Sequence, residues 1–116
     1  MPRDLDLILG DILESIAGIE AAVAGLSFED YAANWTIRRA VERGVEVISE
    51  ASRRLPPDFL ARTPEVDWKS VRGIGNVLRH DYDEILDRII YEVVHDKLPA
   101  LKASVLAARS APDRKA

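Results

Sequence analysis

Apolar residues recur at three- and four-residue spacing along nearly the whole chain and nowhere alternate with polar ones. That is the period of a helix with one buried face, so the chain is expected to fold as packed helices without sheets. Leu5, Ile8, Leu9, Ile12, Ile16, Ile19 and Val23 form the first stripe, with Asp4, Asp6, Asp11, Glu14 and Glu20 between them. The spacing predicts a helix over about residues 4–24, capped by Asp4 and ended by Gly25. Ser27 opens a second helix, its hydroxyl suited to the Asp30 amide, with Leu26 and Tyr31 in the positions of a hydrophobic staple. Asn34-Trp35-Thr36 either interrupts this helix or lets it run through with a kink. The stripe resumes at Ile37 and continues through Val41, Gly44, Val45, Ile48, Ala51 and Leu55 until Pro56-Pro57 stops it.

Residues 56–67 hold three prolines and read as a connection, with Phe59-Leu60 tucked under the bundle. Asp67 or Thr63 caps a third helix whose apolar row is Trp68, Val71, Gly75 and Leu78. A fourth begins near Asp83 with Ile85, Leu86, Ile89, Ile90, Val93 and Val94. Pro99 kinks or restarts it, and Leu101, Val105 and Leu106 carry it to about Ala108. The expected architecture is all-α, an antiparallel bundle of four to five helices, with 1–109 as one domain and 110–116 as a flexible tail.

Composition narrows the function. At 47% hydrophobic and 31% charged residues the chain is globular and not disordered. With no cysteine, disulfides and thiolate chemistry are excluded. No signal peptide or apolar run long enough for a bilayer is visible, so a cytoplasmic protein without membrane contact is expected. The net charge of −4 argues against coating duplex nucleic acid, while leaving room for a local basic site.

One stretch breaks the amphipathic pattern: Arg72-Gly-Ile-Gly-Asn-Val-Leu-Arg-His-Asp-Tyr82. Gly73-Ile-Gly75 follows no strand and lacks a third glycine, so it is no dinucleotide loop. Two glycines in a helix cost about 1 kcal/mol each relative to alanine. Close approach of another helix, from this chain or a second copy, accounts for them. Asp81, Asp83 and Glu84 could hold a hard cation, although acidic residues at a helix start more simply serve its dipole. No metal or cofactor is expected. The series Glu42-Arg43, Glu46, Glu50, Arg53-Arg54 and the pairs Asp83-Glu84 and Asp87-Arg88 read as solvated faces, and His95 as a dipole partner at a helix C-terminus.

His80 has Arg79 beside it, Asn76 one turn before, Arg72 two turns before and Tyr82 two residues after. Histidine titrates near neutrality and can take a proton from one oxygen and give one to another. Arginine can hold a phosphate by two parallel bonds. In RNA the attacking group is available as the substrate's own 2′-hydroxyl. His80 with Arg72 or Arg79 is therefore enough for metal-free RNA cleavage, with Asn76 and Tyr82 placed to position the strand.

At these residues the chain resembles the HepT-like family of HEPN-domain ribonuclease toxins, over nearly its whole length. The resemblance is carried by Phe28-Glu29-Asp30-Tyr31, Val47-Ile48-Ser49-Glu50-Ala51, Asp67-Trp68, Asn76-Val77-Leu78-Arg79-His80-Asp81-Tyr82 and Leu98-Pro99-Ala100-Leu101. It implies a symmetric homodimer with one shared cleft, RNA cleavage, and a toxin–antitoxin pairing with a minimal nucleotidyltransferase that adds AMP to the motif tyrosine, here Tyr82. The family motif is an arginine, four to six residues, then histidine. Where the arginine usually stands, five positions ahead of His80, this chain has Gly75. Arg72 lies roughly 80° around the helix from His80 and about 12 Å down the axis, and Arg79 points roughly 100° away. Either could supply the cation, from the same chain or across a two-fold axis, with Gly73 and Gly75 as dimer contacts. The alternative is an impaired interaction module that dimerises and docks the nucleotidyltransferase. A third, plainer reading is a nucleotide-binding helical domain.

Overall fold

The computed structural model describes residues 2–80 and 83–110, with side chains described for 4–78 and 86–109. Helix α1 (Pro2–Val23) begins at a proline, whose fixed φ and missing N–H suit a first turn. Asp4 therefore sits inside that turn, complementing the dipole, instead of capping it as the sequence suggested. Gly25 ends the helix in the left-handed region at φ 76°. Helix α2 (Phe28–Ala32) carries the expected cap, Asp30 N–H donating to Ser27 Oγ at 3.1 Å, and completes a capping box with Ser27 N–H donating to Asp30 Oδ2 at 3.3 Å. The question at Asn34 resolves as an interruption. Its Oδ1 accepts from Ile37 N–H at 2.9 Å and opens α3 (Trp35–Ser52) afresh.

The connection contains one more helix than the prolines suggested. Pro57 starts a short α4 (Pro57–Arg62) that drives Phe59 fully into the core. Thr63 does not cap the next helix. It is buried, its hydroxyl donates to the Phe59 carbonyl at 3.0 Å, and it accepts the Trp68 indole N–H at 2.9 Å. The cap of α5 (Trp68–His80) is Asp67, which accepts from the Ser70 amide at 3.2 Å and the Ser70 hydroxyl at 2.7 Å. Those bonds, the hydroxyl's first, hold the Asp67 carboxyl below its ordinary range.

From Asp83 the chain is helical without a break: α6 (Asp83–Glu92), a π-helical turn (Val93–Lys97) and α7 (Leu98–Ser110). Of the kink or restart expected at Pro99, there is no restart; the helix is disturbed locally, by the π turn just before it. In the widened turn Leu98 N–H reaches back five residues to the Val93 carbonyl. This widening falls where a proline ring would otherwise crowd the His95 carbonyl and leave it without a donor. Leu106, expected on the buried row, is 43% exposed; Leu98, Leu101 and Val105 carry that row. Ser110, expected to begin the 110–116 tail, still belongs to α7; residues 111–116 and the side chain of Ile85 lie outside those described.

The helices form an all-α antiparallel bundle. Arg54, in the turn just after α3, reaches Asp11 of α1 while Gly44 of α3 meets Ile19, so the two helices run in opposite directions. Lys102 and Arg109 of α7 meet Glu20 and Asp6 of α1 in the same sense. Leu9, Ile12, Ile16, Val41, Val45, Ile48, Phe59, Ile90 and Val105 fill the centre, each worth about 1.5–3 kcal/mol for full burial. Among the described residues no helix is long and apolar enough to cross a membrane.

A side chain at Gly44 would place its Cβ 2.7 Å from Ile19 Cγ1, whereas the exposed Gly18 has nothing within 4 Å. Gly44→Ala should therefore destabilise the fold by about 1–2 kcal/mol, overpacking outweighing the gain in helix propensity. Gly18→Ala should stabilise it by up to about 1 kcal/mol. Urea unfolding of both variants checks the pair, and equal effects would contradict this packing.

Candidate functional site

The region around the motif is built by α3 lying antiparallel against α5 and then α6. Ser49 Oγ and Arg53 Nη2 both donate to the Arg72 carbonyl, at 2.8 and 2.9 Å. Further along, Arg38 Nη1 lies 3.8 Å from Asp87 Oδ1. Gly75 is buried, and a Cβ there would stand 3.2 Å from Ser49 Oγ. The close approach anticipated at this glycine is thus made by α3 of the same chain. Gly73 is exposed with open space around it, and Asn76 is exposed. Arg72 is half-buried and its carbonyl, as seen, holds two donors from α3. The side chains of Arg79 and His80, and Asp81 and Tyr82 entirely, lie outside the described residues, as do the side chains of Asp83 and Glu84 named for a cation. Among the described residues no group of three or more His, Asp or Glu could hold a metal ion.

Beside Gly75 a cleft of about 370 Å³ opens over α3, flanked by α1 and α5. Its charged lining is Asp11, Arg43, Glu46, Glu50, Arg53 and Arg54. The α3 charge series is only in part the solvated face expected of it. Arg43 pairs locally with Glu46 at 3.2 Å. Arg54 instead crosses to Asp11 of α1 at 3.4 Å, and Arg53 reaches the α5 backbone. Ser49 and Ser52 are buried, Ser52 Oγ donating to the Ser49 carbonyl at 2.7 Å. Their phase, on the stripe of Val45 and Ile48, was the signal available in the sequence for a polar helix contact.

Two further expectations change. Asp87 and Arg88 are not a solvated pair: Asp87 is 8% exposed and faces Arg38, while the Arg88 guanidinium sits 4.0 Å over the Phe28 ring. His95 meets no helix C-terminus, because the helix continues through the π turn. Its ring lies 4.1 Å from that of Tyr91, and Nδ1 is 2.9 Å from the Tyr91 carbonyl. A carbonyl only accepts, so Nδ1 carries the proton. Tyr91 in turn donates its hydroxyl to the Leu26 carbonyl at 2.9 Å, tying α6 to the start of α2.

Near Asp87 lie two more groups with displaced ionisation. Burial, reinforced by the Glu42 and Asp87 carboxylates, pushes the Tyr31 phenol above its usual range. Burial also raises the Glu42 carboxyl, with Arg39 pulling the other way and Asp87 adding to the rise.

Comparison with known proteins assigns this all-α bundle to a family. The family described as Ribonuclease HepT-like matches residues 12–108, and the chain belongs to that family. A provisionally named RNase of Methanocaldococcus jannaschii is 35% identical over 103 residues, covering 89% of this chain and 94% of its own. A provisionally named RNase of Caldanaerobacter subterraneus subsp. tengcongensis is 34% identical over 97 residues, 84% of this chain and 87% of its own. A Thermococcus cleftensis protein named "Probable ribonuclease HepT" is 34% identical over 102 residues, 88% and 93%. No solved structure matches the chain.

Because the folded state raises the Glu42 pKa, protonated Glu42 favours folding and its ionised form opposes it. That contribution is fully present below the ordinary carboxylate range and is lost as pH rises through the raised value. Glu42→Gln, which can still accept from Arg39, should raise Tm at pH 7 and lose that advantage at pH 3. Thermal melts at the two pH values check the sign.

Proposed function

We propose that the chain is a metal-independent endoribonuclease that acts as the toxin of a toxin–antitoxin pair. The observation that carries this reading is family membership across residues 12–108, with His80-Asp-Tyr82 retained. In this mechanism His80 takes the proton of a 2′-hydroxyl as that oxygen attacks the adjacent phosphorus. The imidazolium then gives a proton to the departing 5′-oxygen, leaving a 2′,3′-cyclic phosphate. Arg72 or Arg79 stabilises the charge that builds on the phosphoryl oxygens, and Asn76 and Tyr82 position the strand. Two copies of the chain form the cleft, with the exposed Gly73 at their contact. A minimal nucleotidyltransferase is the antitoxin, and Tyr82 is the hydroxyl to which it adds AMP. The site is cytoplasmic in this account.

A second reading is favoured by one residue. Gly75 stands where the family motif has its arginine, and its place is taken up by packing against Ser49. The chain would then be an interaction module that dimerises and binds the nucleotidyltransferase without cleaving RNA.

The two readings separate in one assay. Purified chain incubated with single-stranded RNA and EDTA should cleave it, and His80→Ala should lower the rate by about 10²–10⁴-fold. Intact RNA with the unaltered chain would overturn the ribonuclease reading in favour of the interaction module.

A further inference from the structure

We propose that Arg53 is an RNA-phosphate-binding residue of this site, holding a phosphate in the cleft beside Gly75; the assignment rests on the ribonuclease reading above. Three observations on α3 and α5 converge on it. First, Arg53 is anchored: one Nη donates to the Arg72 carbonyl at 2.9 Å, which fixes the guanidinium and leaves its other N–H groups available. Second, it is the uncommitted cation of the cleft. Arg43 is engaged with Glu46 and Arg54 with Asp11, while among the described residues no carboxylate lies within 4 Å of Arg53. Third, Gly75 lines the cleft without projecting a side chain into it. Ser49 Oγ shares the same carbonyl with Arg53 and stands 3.2 Å from where a residue-75 Cβ would be, so a larger residue at 75 would disturb the group that shares Arg53's anchor.

The charged lining is balanced in sign, so the cleft as a whole attracts no anion by its field. Recognition comes from one preorganised fork, which matches phosphate oxygens by two parallel bonds. The Arg72 carbonyl that anchors Arg53 lies eight residues before His80 on one helix, about 12 Å along its axis. A phosphate on Arg53 would therefore belong to the same RNA strand as the bond cleaved at His80, about two nucleotides away. Arg53 is a binding and positioning residue, not the group that meets the reacting phosphorus.

The test uses a fluorescent single-stranded 2′-O-methyl RNA, which lacks the attacking hydroxyl, so the full unaltered chain can be titrated without cleavage. Affinity is read by anisotropy across a salt series. Arg53→Gln is expected to weaken binding about tenfold or more and to reduce the slope of log affinity against log salt by about 0.7, one phosphate contact on a single strand. Arg62→Gln removes an equal charge at an exposed site over Phe59, outside the cleft, and should leave that slope unchanged. Should Arg53→Gln fail to fold, Arg53→Lys serves: it keeps the slope but loses affinity several-fold with the fork. Binding by Arg53→Gln with the affinity and slope of the unaltered chain, or undiminished affinity in Arg53→Lys when that variant must serve, overturns the assignment while leaving the ribonuclease reading intact. No binding by the unaltered chain overturns the assignment as well, and the EDTA cleavage assay then decides separately on the ribonuclease reading.

Discussion

Helix α3 has to lie close to α1 and α5 at the same time, and small residues at two points make that possible. On one side Gly44 admits Ile19; on the other Gly75 admits Ser49. The second contact brings a buried hydroxyl against a helix backbone, which is costly unless the polar groups find partners. They do. Ser49 and Arg53 donate to the Arg72 carbonyl and Ser52 to that of Ser49. Apolar burial holds the bundle together, but these polar contacts define the α3–α5 register, because a slip of one residue would turn each donor by about 100°.

Charge plays a secondary role in stability and a larger one in arrangement. The pairs Arg54–Asp11, Lys102–Glu20 and Arg109–Asp6 cross helix seams but are substantially exposed, so each is worth at most about 1 kcal/mol. Arg38–Asp87 is mostly buried, where removing one partner strands the other. It joins α3 to α6 shortly beyond the segment that carries His80 and Tyr82. With the Tyr91 hydroxyl on Leu26 and the π turn before Pro99, it fixes α6 in position without interrupting the long helix.

Much of this architecture was legible in the residues. The Ser27 cap on the Asp30 amide and the stripes of α1 and α3 act over one or two turns, and short-range chemistry is visible in a linear string, although α3 ends at Ser52, before Pro56-Pro57 could stop it. The short helix α4 was hidden because two prolines announce the end of one helix and the permitted start of another with the same letters. The π turn was hidden for a related reason: a proline inside a helical stripe signals disruption, and only the preceding turn decides its form. Of the candidate site, the unusual stretch from Arg72 to Tyr82 stood out in sequence, while Arg53 and Asp87 read as solvated helix faces and nothing in the string marked Arg38.

Taken alone, the chain determined that it is helical, which face of each helix is buried, and its membership of the HepT-like ribonuclease family. Tertiary structure decided which glycines are contacts and which are open, Gly44 and Gly75 against Gly18 and Gly73. It also decided that Arg53 meets a backbone carbonyl while its neighbour Arg54 meets a carboxylate. The physical reason is that helical period fixes a residue's angle on its own helix and nothing about the helix opposite. Partner and register emerge only when all the stripes are packed together.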